Sequence, residues 1–511
     1  MSEKTADDGG SSGDESVEQG VWRYAKATRA SVIVDAEHYF AHMQQAMLKA
    51  QDRILLIGWD FDSRIHLTQG RRWYKRLTSH EYPARLGSFV LWLNRHRKGL
   101  DIKLLKWSYG VVKFFGRGSM ALDLIRFARH KRIDFKFDTA HPVGCSHHQK
   151  LAVLDGQVAV CGGIDMTTFR WDTREHREDD PRRKRPRGKP YGPWHDATMM
   201  LEGPIAGDLE QLGIDRWSWA GGEQLERTEP GDKDCWPEKL EVQFENVEIG
   251  IARTRAEYDE RDAVREIEEL FEKHIAEAKH FIYAETQYFA SRKIADAVCR
   301  RLSQPDPPEI FIVHPCNADG WLEQQAMDHA RAQLVRAIGE NDPAKRFNLM
   351  VPYTGETPIY VHAKLMIIDD RILRIGSANM NNRSMGLDSE CDLFIDCSRP
   401  GNESCGDQIA RLRYSLLAEH CGLEEDEVPG LLARYGSMIE MVDRIGTDRN
   451  RTLQRLDLPE LNAVQEKLAD SELLDPECPD DMFEPFAEGG LFRERTVLQR
   501  MRDRIRRRKD K

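Results

Sequence analysis

The chain carries one pattern twice. His148, Lys150, Asp155 and the pair Gly162-Gly163 read H-x-K-x4-D-x6-G-G, and His362, Lys364, Asp369, Gly376, Ser377 and Asn379 read H-x-K-x4-D-x6-G-S-x-N. A single H-x-K arises by chance on many surface strands. Two copies that share all the later spacing demand a fold with two like halves. The apolar run Leu365 to Ile368 ends at an Asp-Asp turn, and Ile372 to Ile375 returns, which reads as a pair of strands. Residues two apart on a strand share a face, so each histidine is expected beside its lysine.

The duplication extends beyond the motifs. His38 to Ala50 has helical spacing and leads into the apolar Ile54 to Phe61; Val264 to Ala278 leads in the same way into Phe281 to Phe289. A second apolar run follows in each half, Ile102 to Trp107 and Ile310 to Val313. Helical patterns come next, at Met120 to Arg129 and Trp321 to Ile338, and each half then reaches its H-x-K. A repeat this long implies duplicated domains rather than a solenoid. The expected fold class is α/β: two similar domains, each a mixed sheet flanked by helices, with the site at their pseudo-twofold interface. The boundaries are set at a disordered tail over residues 1–20, domains over 21–235 and 236–422, and a helical and irregular extension over 423–511. The breaker-rich Thr228 to Glu238 places the domain junction near residues 228–245.

No apolar run approaches the length of a membrane span, and the acidic, Gly/Ser-rich first twenty residues lack the apolar centre of a signal peptide. A cytoplasmic or peripheral membrane location is expected, with export open only by a route that needs no signal peptide. The ten cysteines form no C-x-x-C, which points to free thiols and away from zinc. A net charge of −11 argues against a nucleic-acid partner. Arg182 to Lys189 and Arg500 to Lys511 are basic; each reads as a solvated segment or a contact for anionic headgroups.

Breaking a phosphodiester takes a nucleophile, a proton donor for the leaving alkoxide, and positive charge around the non-bridging oxygens. Two histidines and the lysines Lys150 and Lys364 supply these parts without a metal or other cofactor. Ser377 and Asn379, with Gly163 and Asp165 at the matching positions, are the expected phosphate-binding set. Each imidazole also needs an acceptor for its far nitrogen. Glu390 is the candidate in the second half and Asp196 its match in the first, each preceding a strand-like segment. Asp155 and Asp369 complete the motif as catalytic-set residues, although their place at strand ends reads more as turn structure. His147 alternates away from the site, and His195 is placed behind it. Trp59, Trp171, Trp194, Tyr283 and Tyr288, with Glu285 and Gln287, are candidates for a headgroup pocket, where aromatic faces would suit choline.

The duplicated H-K-D motif resembles the signature of the phospholipase D superfamily. The resemblance covers about residues 35–422 and includes Gly162 to Thr173, Gly192 to Asp196, Ile282 to Phe289 and Gly376 to Met385. It implies a phospholipase D that hydrolyses glycerophospholipids at a membrane surface through a phosphohistidine, with transphosphatidylation alongside. It also implies His148 as nucleophile and His362 as general acid, roles that the residues alone do not distinguish. The alternatives are a cardiolipin synthase-like phosphatidyltransferase and a nuclease of the same superfamily.

Overall fold

The computed structural model describes residues 18–68, 82–107, 119–142, 144–186, 188–317 and 321–457. Most of the expected tail, the irregular Asp475 to Glu484 and the basic C-terminal end lie outside these residues. The last residues of the tail are anchored, since Tyr24 donates its hydroxyl hydrogen to Glu18 at 2.6 Å.

In the first half the strands are β1 (Arg23–Val34), β2 (Arg53–Gly58), β3 (Asp101–Trp107), β4 (Ile133–Asp138), β5 (Leu151–Leu154), β6 (Val158–Gly162), β7 (Trp194–His195) and β8 (Ala197–Glu202). The second half has β9 (Phe244–Arg255), β10 (Val264–Arg265), β11 (Phe281–Glu285), β12 (Glu309–Val313), β13 (Phe347–Thr354), β14 (Thr357–Pro358), β15 (Tyr360–Val361), β16 (Leu365–Ile368), β17 (Ile372–Gly376), β18 (Glu390–Asp396) and β19 (Arg451–Arg455).

The first sheet runs β4-β3-β2-β5-β6-β8-β1, its first three strands parallel and the rest antiparallel. The second runs β13-β12-β11-β16-β17-β18-β9 with the same directions. Even the register repeats: Ile54 lies opposite Leu154, and Ile282 opposite Ile368. Antiparallel pairing of β1 with β9 joins the two halves.

Side-chain alternation on these strands builds two cores at once. Leu55 and Ile57 of β2 and Leu365 and Ile367 of β16 enter one core shared by both halves. Ile54 and Leu56 point the other way, to the helices Ala36–Lys49 and Leu86–His96. Met366 and Ile368 do the same toward Glu266–Glu277 and Arg292–Leu302. The shared core also takes in the helices Pro204–Trp219 and Gly406–Cys421, so each sheet has helices against both of its faces. Strands buried on both faces read as unbroken apolar runs, which is why they are conspicuous in the sequence.

Three boundaries differ from expectation. Cys235 and Trp236 are buried in the first half's outer core, and Gln243 bonds to Ala30 and Val32. The first half therefore holds the chain as far as Gln243, past residue 235 but inside the expected junction of 228–245. The extension also contains a strand, since β19 pairs with β13 from Thr354–Arg451 to Met350–Arg455. Finally, the H-x-K residues precede β5 and β16 instead of lying on them. Their backbone is claimed by the opposite half: His148 N donates to Ser389 O at 3.0 Å and His362 N to His195 O at 2.7 Å.

Candidate active site

Those two backbone bonds set the geometry of the site. Each H-x-K segment is held against the carboxylate-bearing segment of the other half, so the imidazole–acid pairs form crosswise. His148 Nδ1 lies 3.0 Å from both carboxylate oxygens of Glu390, and His362 Nδ1 lies 2.8 Å from Asp196 Oδ2. Glu390 and Asp196 were each expected to serve their own half. Parallel pairing of β7 with β15 and the bridge between His147 and Ser389 make the exchange instead. With Nδ1 occupied, Nε2 of each imidazole is the nitrogen left for chemistry.

Lys150 Nζ donates to His148 O at 2.6 Å, and Lys364 Nζ likewise to His362 O. Each ammonium is thereby fixed beside its histidine. Lys150 also lies 3.7 Å from Asp165, whereas Lys364 donates to the neutral amide oxygen of Gln287 at 3.2 Å.

Asp155 and Asp369 do not belong to the chemistry. Asp155 accepts the backbone N–H groups of Gln51, Asp52 and Arg53 at 2.8 Å, and Asp369 accepts those of Lys279, His280 and Phe281 at 2.7–2.8 Å. Both have positive φ, 52° and 54°, a conformation that Asp tolerates. Each therefore closes a hairpin and cradles the turn entering β2 or β11.

The expected phosphate ligands also change roles. Ser377 Oγ donates to Glu390 Oε2 at 2.5 Å and accepts from Cys391 N, so it orients the acid behind His148. Ser384, which carries no spacing signal, donates to Glu390 Oε1 at 2.8 Å. A Cβ on Gly163 would overlap Asp196 Oδ1, so this glycine makes room for the acid rather than contacting a ligand. Asp165 faces Lys150, its Oδ2 3.7 Å from the ammonium. Of the four, Asn379 keeps a buried Oδ1 with no hydrogen-bond partner among the described residues, and so does Asp165 at Oδ2.

Burial dominates the electrostatics. Loss of solvent, then the charges of Lys150 and Lys364, hold the His148 imidazole well below its ordinary range. Burial, then Lys364 and Arg170, do the same to His362. Burial also raises Asp196 to about 6 and Glu390 to about 8, and lowers Lys364 to about 7. At neutral pH the unliganded site thus holds neutral imidazoles, with Lys364 about half charged. A phosphodiester anion arriving there lowers the cost of protonating an imidazole.

A buried ionic cluster lies behind the site. His195 Nδ1 lies 2.8 Å from Glu419 and its Nε2 2.8 Å from Glu285; His176 bridges Asp172 and Glu419, both at 2.9 Å. Asp35, His176, His195 and Glu419 bring one donor atom each within 4.8 Å, close enough to hold a cation, and in the structure they contact one another. Their four distant sequence positions left no spacing to read. His147, as expected, points away, to Asp138 at 2.9 Å. Tyr283 is fully buried and donates to Glu285, so it is core. Arg182 and Arg183 of the basic run are bound to Asp180 and Asp172, respectively. Among the described residues every cysteine is a free thiol, and no helix is long and apolar enough to cross a membrane.

The sequence profile of phospholipase D matches residues 46–300 and 337–444, well over half of the chain. Phospholipase D A of Dictyostelium discoideum is 24% identical over 471 residues, covering 76% of this chain and 35% of its own length. Phospholipase D alpha 1 of Arabidopsis thaliana is 26% identical over 403 residues, covering 55% and 49%. The chain thus spans between a third and a half of the length of these relatives. Among solved structures, phosphatidylserine synthase from Haemophilus influenzae superposes with a TM-score of 0.52 at 10% identity, covering 82% of this chain and 95% of that one; that likeness concerns the fold. With its profile match and its two like halves, the chain belongs to the phospholipase D family.

Proposed function

We propose that the protein is a phospholipase D that cleaves glycerophospholipids, presented at a membrane surface, to phosphatidate and a free headgroup alcohol. The observation that carries this reading is the crosswise pair His148–Glu390 and His362–Asp196, each beside a tethered lysine, in a family whose named relatives are phospholipases D.

His148 Nε2 attacks phosphorus as the bond from phosphorus to the headgroup oxygen breaks, and His362 Nε2 gives that oxygen its proton. Lys150 and Lys364 neutralise the non-bridging oxygens. Water then loses a proton to His362 and attacks phosphorus, the phosphorus–nitrogen bond breaks, and phosphatidate leaves. An alcohol in place of water gives the transphosphatidylation product. Glu390 and Asp196 fix the tautomers and offset imidazolium charge.

Incubating the protein with mixed-headgroup vesicles, a little ethanol and EDTA, followed by lipid mass spectrometry, tests this. Phosphatidylethanol beside phosphatidate is the expected result. An unchanged lipid mixture from folded protein overturns it and directs attention to other phosphodiesters, nucleic acids included.

A further inference from the structure

A third basic side chain reaches the site. Besides Lys150 and Lys364 it contains Arg170, which is only 8% exposed. Among the described residues, no carboxylate lies within ion-pair distance of its guanidinium, no hydrogen bond engages it, and its Nε is buried without a partner. A buried, uncompensated guanidinium is costly, and the usual resolution is a paired oxyanion. The site's own carboxylates are engaged elsewhere: Asp165 is turned to Lys150, Asp196 to His362 and Glu390 to His148.

The location says which part of the substrate this charge meets. Arg170 Cζ lies 4.3 Å from the ring centroid of Trp194, whose indole is 5.2 Å from the His362 ring and stacks on Tyr360 at 4.5 Å. In the reaction proposed above, His362 protonates the headgroup oxygen, so Arg170 stands on the headgroup side of phosphorus. Its charge is felt at His362, Lys364 and Asp196.

We propose that Arg170 receives a carboxylate on the headgroup, making the favoured substrates glycerophospholipids of the phosphoserine type. The planar guanidinium offers a fork of N–H donors that matches a carboxylate's two oxygens. The same arrangement disfavours choline. The indole that could have faced a quaternary ammonium is already covered by Tyr360 and Arg170, and like charges would meet there. This inference rests on the phospholipase D reading and on His362 as the headgroup-side histidine.

Phosphatidylserine and phosphatidylethanolamine differ by that carboxylate alone, so the test presents both in one vesicle with phosphatidylcholine, at fixed surface charge. Released serine, ethanolamine and choline are quantified together. The wild-type protein is expected to favour serine over ethanolamine by about ten- to a hundredfold in kcat/KM, the range for a charge-assisted hydrogen-bonded pair. Arg170→Gln is expected to bring that ratio close to one while still cleaving phosphatidylethanolamine, and Arg170→Lys to retain part of it. Thermal unfolding of both variants checks that they are folded. An equal loss on all three lipids in Arg170→Gln would mean that Arg170 holds the phosphate itself, and it overturns the proposal. So does a wild-type preference for choline. A wild-type protein that releases no alcohol from any lipid sinks the phospholipase D reading and this inference with it, an outcome distinct from cleavage without preference.

Discussion

The two halves use one frame and furnish it differently. On the first side Lys150 faces a carboxylate, Asp165, and the acid reaching across is the short Asp196, given room by Gly163. On the second side Lys364 faces a neutral amide, Gln287, and the crossing acid is the longer Glu390, held by the hydroxyls of Ser377 and Ser384. Burial, with Lys150 beside it, outweighs the pull of Asp196 and Glu390 and leaves Lys364 poised near neutrality, at about 7. A duplicated fold can therefore give two chemically identical histidines unlike surroundings, which is what a reaction with one nucleophile and one acid requires.

The strongest break in this comparison is removal of either histidine. Both His148→Ala and His362→Ala are expected to lower turnover by about 10³-fold or more. The two should differ in what accumulates: intact-protein mass after mixing with lipid should show a phosphatidyl adduct on the His362 variant and none on the His148 variant. The reverse pattern would exchange the two roles.

The crossed acids come next. Glu390→Gln and Asp196→Asn should each lower kcat by about 10²-fold with little change in KM, since neither acid touches substrate. Because the pairs are crosswise, Glu390→Gln should add almost nothing to the loss in His148→Ala. Measuring the double variants against the singles would expose pairing within each half if the non-additivity followed Asp196 instead.

The lysine asymmetry predicts a pH effect of about tenfold per unit. A depressed ammonium loses its charge as pH rises, so kcat/KM should fall as pH climbs through about 7. Lys364→Arg keeps its charge at all these pH values and should flatten that fall, at some cost in the plateau. A wild-type profile that stays flat to pH 9 would show that the phosphate site does not depend on this ionisation.

The smallest expected effect concerns Ser377. Replacing it by Gly makes the second half resemble the first at this position and removes one hydrogen bond to Glu390, for a loss of about three- to tenfold in kcat. A rise in KM with kcat intact would instead return Ser377 to the phosphate ligands.

Motif spacing and apolar runs were enough to read from the sequence the duplication, the α/β class, the strands flanking each H-x-K, the set of two histidines, two lysines and two acids, and the turn character of Asp155 and Asp369. These are local signals, carried by residues a few positions apart. Which acid serves which histidine was not legible, because the exchange depends on His148 N bonding to Ser389 O and His362 N to His195 O across the interface. The cluster of Asp35, His176, His195, Glu285 and Glu419 stayed hidden for the same reason, as did the uncompensated Arg170: their partners, or lack of them, are set by segments far apart in the chain. The sequence by itself determined that two like units must meet and which side chains they bring. Only the tertiary structure decided how those side chains are paired, since hydrogen bonds and burial depend on where the two sheets place their loops, and no spacing within one segment encodes that.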